Sequence, residues 1–521
     1  MNKVILKSLF VLFFCVISQS VVAQKPYGIF DEKTGTLTLG YGKRLPNGVK
    51  ELDEDGFCVD DVTEETKKIK KIVIKKSFAR YKPNDCCYCF SGLENLKEIK
   101  GLKNLNTSET TDMNSMFERC MSLASLDLSH FDTKKVEDMS FMFEGCWRLT
   151  SLDLRRFNTK KVEDMSSMFE GCESLSSLDL SHFDTSKVTE MGFMFKGCMN
   201  LASLDISSLN TANVTDLLCM FEGCKSLTSL DLSHFNTSRV KSMGSMFDGC
   251  INLANLNISS FKTDSVTNMG SMFSECRSLT NLDLSHFNTS RVKSMSFMFD
   301  GCINLANLNI SSFKTDSVTD MGVMFSKCCA LTNLDLSHFN TSNVESIGSM
   351  FDGCINLTNL DISSFKTNNV TGMYGVFRDC KSLTSLDLSH FDTSKVTDIR
   401  YMFSGCVSLK ALDIRSFNTE NVTMVDEMFK DCKSLVGLDL SSFKTDKVYD
   451  MSEMFSGCSN LTALDIRGFN TEKVTRMNNI FKGCSSLKFV TVGMKWMIQD
   501  EDVVVDLFPD SPNVNLIQVL R

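Results

Sequence analysis

Apolar and polar positions along this chain fall in a frame that repeats every 26 residues. A Phe, preceded by Met in most copies, stands at 117, 143, 169, 195, 221, 247, 273, 299, 325, 351, 377, 403, 429, 455 and 481. A Cys follows three residues later each time, from Cys120 to Cys484, so fifteen units run in register without a slip. A fixed period of this length marks repeat architectures, in which each unit buries its apolar face only by stacking on its neighbours.

One unit reads "MFEGCWRLTSLDLRRFNTKKVEDMSS", residues 142–167. Its Leu149, Leu152 and Leu154 end in a Leu-Asp-Leu alternation, which predicts a short half-buried strand. Val162, Met165, Met168 and Phe169 then fall at i, i+3, i+6 and i+7, which predicts one face of a short helix. Gly171 suits the turn after that helix, and the hydroxyl of Thr159 is placed to cap the helix or close the bend before it. The expected fold is therefore an α/β repeat solenoid, leucine-rich-repeat-like, with one parallel β-sheet face and short helices on the opposite face. At about 4.8 Å per coil, fifteen coils make a rod roughly 70 Å long.

A slower rhythm overlies the first. All six histidines, His130, His182, His234, His286, His338 and His390, are 52 residues apart, and "ANLNISSFKTDSV" occurs at both 254–266 and 306–318. Duplication in pairs of units accounts for this. Six His spread along a rod, each next to a Ser on a strand whose successive side chains point to opposite faces, do not make one catalytic site. No catalytic residues, cofactor or metal ligands are assigned, and the chain is expected not to be an enzyme.

The segment "LTSLDLSHFDTSKVTDIRYMFSGC" (383–406) resembles the BspA-like leucine-rich repeat surface proteins, whose units carry an LxxLDLSxFxTxxVTxMxxMFxGC pattern. The resemblance spans about residues 65–493 and includes the lead-in "IKKIVIKKSFARYKPNDCCYCFSGLENLKEIKGL", where Phe90 lies 27 rather than 26 residues before Phe117. It implies an exported or cell-surface protein that meets host proteins or other cells through its solenoid surface.

The ends complete the organisation. Residues 1–23 read as a secretory signal, with Lys3 and Lys7, an apolar stretch and Val-Val-Ala before Gln24. Residues 24–64 lack the period, and "GIFDEKTGTLTLGYG" predicts two strands around a Lys-Thr-Gly turn. Residues 65–116 form an N-terminal cap and degenerate first repeat, 117–493 the tandem array, and 494–521 a C-terminal cap. The expected location is secreted or on a bacterial cell surface, with no transmembrane helix in the mature chain.

Charge narrows the partners. The net charge of −9 becomes −11 once Lys3 and Lys7 leave with the signal, so nucleic acid is not expected. The repeat Cys sits between Phe and Leu anchors, which favours a ladder of small buried hydrophobes; disulfides between stacked neighbours and an array of metal ligands are the alternatives. For Cys58 and the "DCCYC" thiols Cys86, Cys87 and Cys89, a cap disulfide and free thiols are both open. The candidate ligand-binding stripe is the strand-centre row Asp127, Asp153, Asp179, Asp205, Asp231, Asn257, Asp283, Asn309, Asp335, Asp361, Asp387, Asp413, Asp439 and Asp465. Alternation places this row on the outer sheet face, where it would bind a host extracellular protein or glycan. The alternatives are a passive spacer whose stripe serves solubility, and activity residing in the non-repeat ends.

Overall fold

The structure, a computed structural model, describes residues 24–43, 50–51, 66–497, 507–511 and 514–519. The predicted export signal and Cys58 lie outside these residues.

The chain winds as a solenoid along a stack of phenylalanines. Ring follows ring from Phe90 through every repeat Phe to Phe481 and finally Phe508, with centroids 4.8–5.9 Å apart and planes within 20° of parallel. Columns of Met, Leu, Val and Cys bury alongside this stack, which makes one continuous core. Each residue type holds its column because the 26-residue frame returns it to the same azimuth one coil later.

At the N-terminal end, β1 (Lys25–Asp31) and β2 (Thr36–Gly42) form the hairpin expected around Lys-Thr-Gly, with Gly35 in the left-handed region at φ 64°. Strand β3 (Lys50–Glu51) pairs with β1, and β4 (Lys71–Ile74) lies parallel to β2. β5 (Glu98–Lys100) joins β4 and leads into the array. Within the array the strand-centre segments Ser177–Asp179, Ser203–Asp205, Ser229–Asp231, Asn255–Asn257, Asn281–Asp283, Asn307–Asn309, Asn333–Asp335 and Asn359–Asp361 are β6 to β13. They pair in parallel two by two, which repeats the 52-residue rhythm of the sequence. Gly437–Asp439, Ala463–Ile466, Phe489–Val492 and Asn515–Gln518 (β14 to β17) form a four-stranded parallel end. Between β13 and β14 the ladder lapses to a single bridge, Asp387 to Asp413.

The opposite face corrects the helix expectation. Among the described residues no repeat carries an α-helix; segments such as 162–171 are turns. The N–H groups of Met165, Ser167, Phe169 and Gly171 donate to the carbonyls of Glu190, Gly192, Met194 and Lys196 in the next coil, at 2.7–3.1 Å. Between these bonds, single turns close three residues back, Met168 to Met165 and Cys172 to Phe169. Ser167 and Gly171 both adopt positive φ, at 54° and 68°, which ends any right-handed helix at once. Returning inward every third residue by turns produces the same Val162, Met165, Met168 stripe that a helix would. The molecule is thus a β-solenoid with inter-coil hydrogen bonds on both sides.

Candidate functional site on the strand face

Several chemistry-bearing columns are absorbed by the scaffold. All fifteen ladder cysteines, from Cys120 to Cys484, are buried outside disulfides, and each thiol donates to the carbonyl of a Phe in the preceding coil at 3.0–3.3 Å. Burial pushes the Cys250 and Cys302 thiols up to about 12, so the ladder stays protonated at neutral pH. Cys86, one of the "DCCYC" thiols, lies 3.6 Å from the Thr110 hydroxyl rather than in a disulfide. The threonine column stitches coils together instead of capping helices. Thr159 Oγ1 donates to the Asp184 carbonyl at 2.9 Å and accepts the Asp184 N–H at 2.8 Å.

Five of the six histidines are also accounted for. Nε2 of His182, His234, His286, His338 and His390 lies 2.8–3.1 Å from the carbonyl of Leu154, Ile206, Ile258, Ile310 and Ile362, respectively. On the intervening coils a Ser hydroxyl, for example Ser208 to Leu180, makes the equivalent bond. From His182 to His390 the 52-residue rhythm is therefore an alternation of two donors for one structural job.

The strand-centre row behaves differently. Thirteen of its fourteen side chains are exposed, and Asp465 is half-buried. In every coil Oδ1 accepts the backbone N–H two residues on, from Ser129 onto Asp127 through Arg467 onto Asp465, at 2.9–3.3 Å. These bonds hold Asp127, Asp179, Asp231, Asp283, Asp335, Asp361, Asp387 and Asp439 below the usual carboxylate range, the Ser two residues on being the leading cause in each. Arg155 and Arg415 fold back on Asp153 and Asp413 with paired bonds of 2.6–3.0 Å, and the Arg415 contact takes Asp413 down to about 2. The face thus carries twelve carboxylates in line along the coils, interrupted by the neutral Asn257 and Asn309.

Depressions are strung along this row. One of about 520 Å³ lies over Asp335 and Asp361, and one of about 430 Å³ over Asp283 and Asn309. A trough of about 850 Å³ follows near the C-terminal end, between Leu360 and Thr491. Its cause is local: the position two before the strand-centre acid is Ser or Asn from Ser125 to Ser385, then Ala411, Gly437 and Ala463, then Phe489. The floor is leucine, and the exposed Phe489 ring closes one end.

Two features escaped the sequence reading. Glu118, Glu144 and Glu170 stack in a column beside the Phe ladder, and burial followed by these like charges lifts Glu144 to about 7. Where Lys196 enters that column it lies between Glu170 and Glu222, 3.9 and 3.6 Å away. At the N-terminal end, Asp85, Cys87 and Asp112 bring ligand atoms within 4.8 Å of one another. Their juxtaposition follows from the 27-residue spacing between Asp85 and Asp112, a signal present in the sequence but masked by the cysteine cluster around it.

No helix among the described residues is long and apolar enough to cross a membrane. No curated protein matches the chain. Among solved structures, it is similar to a leucine-rich cell surface protein from Faecalibacterium prausnitzii A2-165, at 15% identity, 93% of this chain and 96% of that one, TM-score 0.29. A leucine-rich repeat protein from Eubacterium ventriosum ATCC 27560 aligns at 14% identity over 82% of this chain and 99% of the other, TM-score 0.33. The functional domain of InlJ from Listeria monocytogenes, described as including a cysteine ladder, aligns at 16% identity over 87% and 74%, TM-score 0.18. A family profile matches in overlapping stretches, 84–202, 142–229, 163–282, 227–334, 280–384, 327–437 and 407–516, and on that match the chain belongs to the DUF285 family, described as Mycoplasma protein of unknown function.

Proposed function

We propose that this chain is an exported surface protein that binds a positively charged protein surface on a host or neighbouring cell through its strand face, without catalysis. The observation that carries this reading is a surplus of charge. The strand-centre oxygen is needed to close each turn, but Asn257 and Asn309 close theirs with an amide oxygen at 3.3 Å. Negative charge is therefore not required by the fold, yet twelve of the fourteen positions carry it, one coil apart, where like charges repel. A cationic partner relieves that repulsion and is steered to the face by it.

The spacer reading draws on the same turn bonds, because they give the row a structural use. One experiment separates the two. Replacing Asp231, Asp283, Asp335, Asp361 and Asp387 by Asn removes charge and keeps the turn. Binding of lysine- and arginine-rich peptides, followed by calorimetry at low and physiological salt, should weaken at least tenfold and lose much of its salt dependence. Unchanged binding in the folded variant would leave the face as a spacer surface.

A further inference from the structure

Resting on that reading, we infer that the trough between Leu360 and Thr491 is the anchor pocket of the strand face, taking an aromatic or large aliphatic side chain from a cationic polypeptide segment that lies along the aspartate row.

Three independent observations meet at this place. The first is space. Ala411, Gly437 and Ala463 replace the Ser or Asn of eleven preceding coils, and the result is a trough of about 850 Å³, within the range that buries a large side chain or a small ligand. The second is apolar surface left open to solvent. Leu360 and Leu386 in the floor are only partly buried, and the Phe489 ring at the end of the trough is 46% exposed. The third is a change in the backbone. The two-stranded pairs of β6 to β13 give way here to the one Asp387–Asp413 bridge, and from β14 the strands run as a continuous parallel sheet.

Charge decides between occupants. Arg415 and Arg467 in this region close on Asp413 and Asp465, so neither offers a site for a phosphate or a carboxylate. Asp387 and Asp439 have no such partner; their carboxylates face solvent and are held ionised chiefly by the N–H and hydroxyl groups of Ser389 and Ser441. The walls are therefore net negative around an apolar floor. A neutral saccharide gains nothing from this charge, which continues down the row beyond the trough. A cationic chain with one bulky apolar residue satisfies both, with the charges setting approach and the buried anchor setting dwell time.

The test uses the full chain and two dodecapeptides of alternating lysine and arginine, one with two central tryptophans and one with glycines in their place. The trough is narrowed by Ala411→Asn, Gly437→Asn and Ala463→Asn together, toward the smaller depressions of about 430 and 520 Å³ that lie over the Asn coils. Five coils, from Asn255 to Asn359, already carry Asn there, and a Cβ at Gly437 meets nothing closer than the Ala463 carbonyl at 3.9 Å, so folding should survive. The tryptophan peptide should bind the native chain at least tenfold more tightly than the glycine peptide, and the narrowed variant and Phe489→Ala should each cut that advantage at least threefold. Equal affinity of the two peptides, or an advantage undiminished in the narrowed variant, overturns the anchor pocket; the strand-face reading then still stands if both peptides weaken with the Asp→Asn row. If neither peptide binds, both readings fall. Displacement of the tryptophan peptide by a neutral β-1,4-linked hexasaccharide would assign the trough to a glycan and overturn the polypeptide class.

Discussion

Glu144 shows how stacking turns an ordinary acidic residue into a pH-sensitive one. It is held one coil from Glu118 and one from Glu170, and its Oε2 is buried with no hydrogen-bond partner. Its carboxyl rises from an ordinary 4.5 to about 7, through burial first and the two charges second. Because folding raises this pKa, the stability linked to the proton is fully present below about 4.5 and lost as pH climbs through about 7. In Glu144→Gln the group cannot ionise. The urea midpoint of the native chain should therefore match that of the variant at pH 4.5 and fall below it at pH 8. Asp248, Asp300 and Asp352 are also raised, by burial first, but they titrate in both proteins and cancel in the comparison. A difference between the two midpoints that is the same at both pH values would show that Glu144 is not the group that titrates.

At the scale of one coil, the strand and the inward Cys were legible because both depend on period alone. Leu178 and Leu180 face the core while Asp179 between them faces out, as alternation requires. The opposite side was not legible as turns, because Val162, Met165 and Met168 satisfy a helical stripe equally well. What decides is the backbone donor at Met165, which finds the Glu190 carbonyl of the next coil, and no local pattern encodes a bond 25 residues away. The strand-face row was legible in position but not in mechanism, since the turn bond from Ser129 to Asp127 is local while the surplus of charge shows only by comparison with Asn257. The ladder cysteines lead to a direct test. In the native chain, iodoacetamide should leave all fifteen unmodified, since they are buried and, like Cys250, hold their protons. Denatured without reductant, all fifteen should react, as read by mass spectrometry of the peptides. Protection that persists in denaturant would mean disulfides and would undo the core-ladder assignment.

Across the whole molecule, stability is distributed along one axis, because each coil touches only its neighbours. The Phe stack makes this concrete: Phe299 packs against Phe273 and Phe325 at 5.8 and 5.6 Å, and each internal ring of the series likewise has one neighbour on either side. Stability in such an array is close to a sum of coil terms and nearest-neighbour interfaces. Phe299→Ala removes a fully buried ring and two ring contacts, at a cost of roughly 3–5 kcal/mol. That loss belongs to the interfaces on either side of one coil, so it should appear locally. Hydrogen exchange read by mass spectrometry should show amides of 265–330 opening faster in the variant, while those near Phe143 and Phe455 keep native rates. The amides donating across coils there, such as Phe273 to Met298 and Phe299 to Met324, are the ones expected to lose protection first. Faster exchange spread evenly from Phe90 to Phe481 would mean instead that the array opens as one cooperative unit. In that case an end cap such as β14 to β17 would stabilise all fifteen coils equally rather than its nearest neighbours.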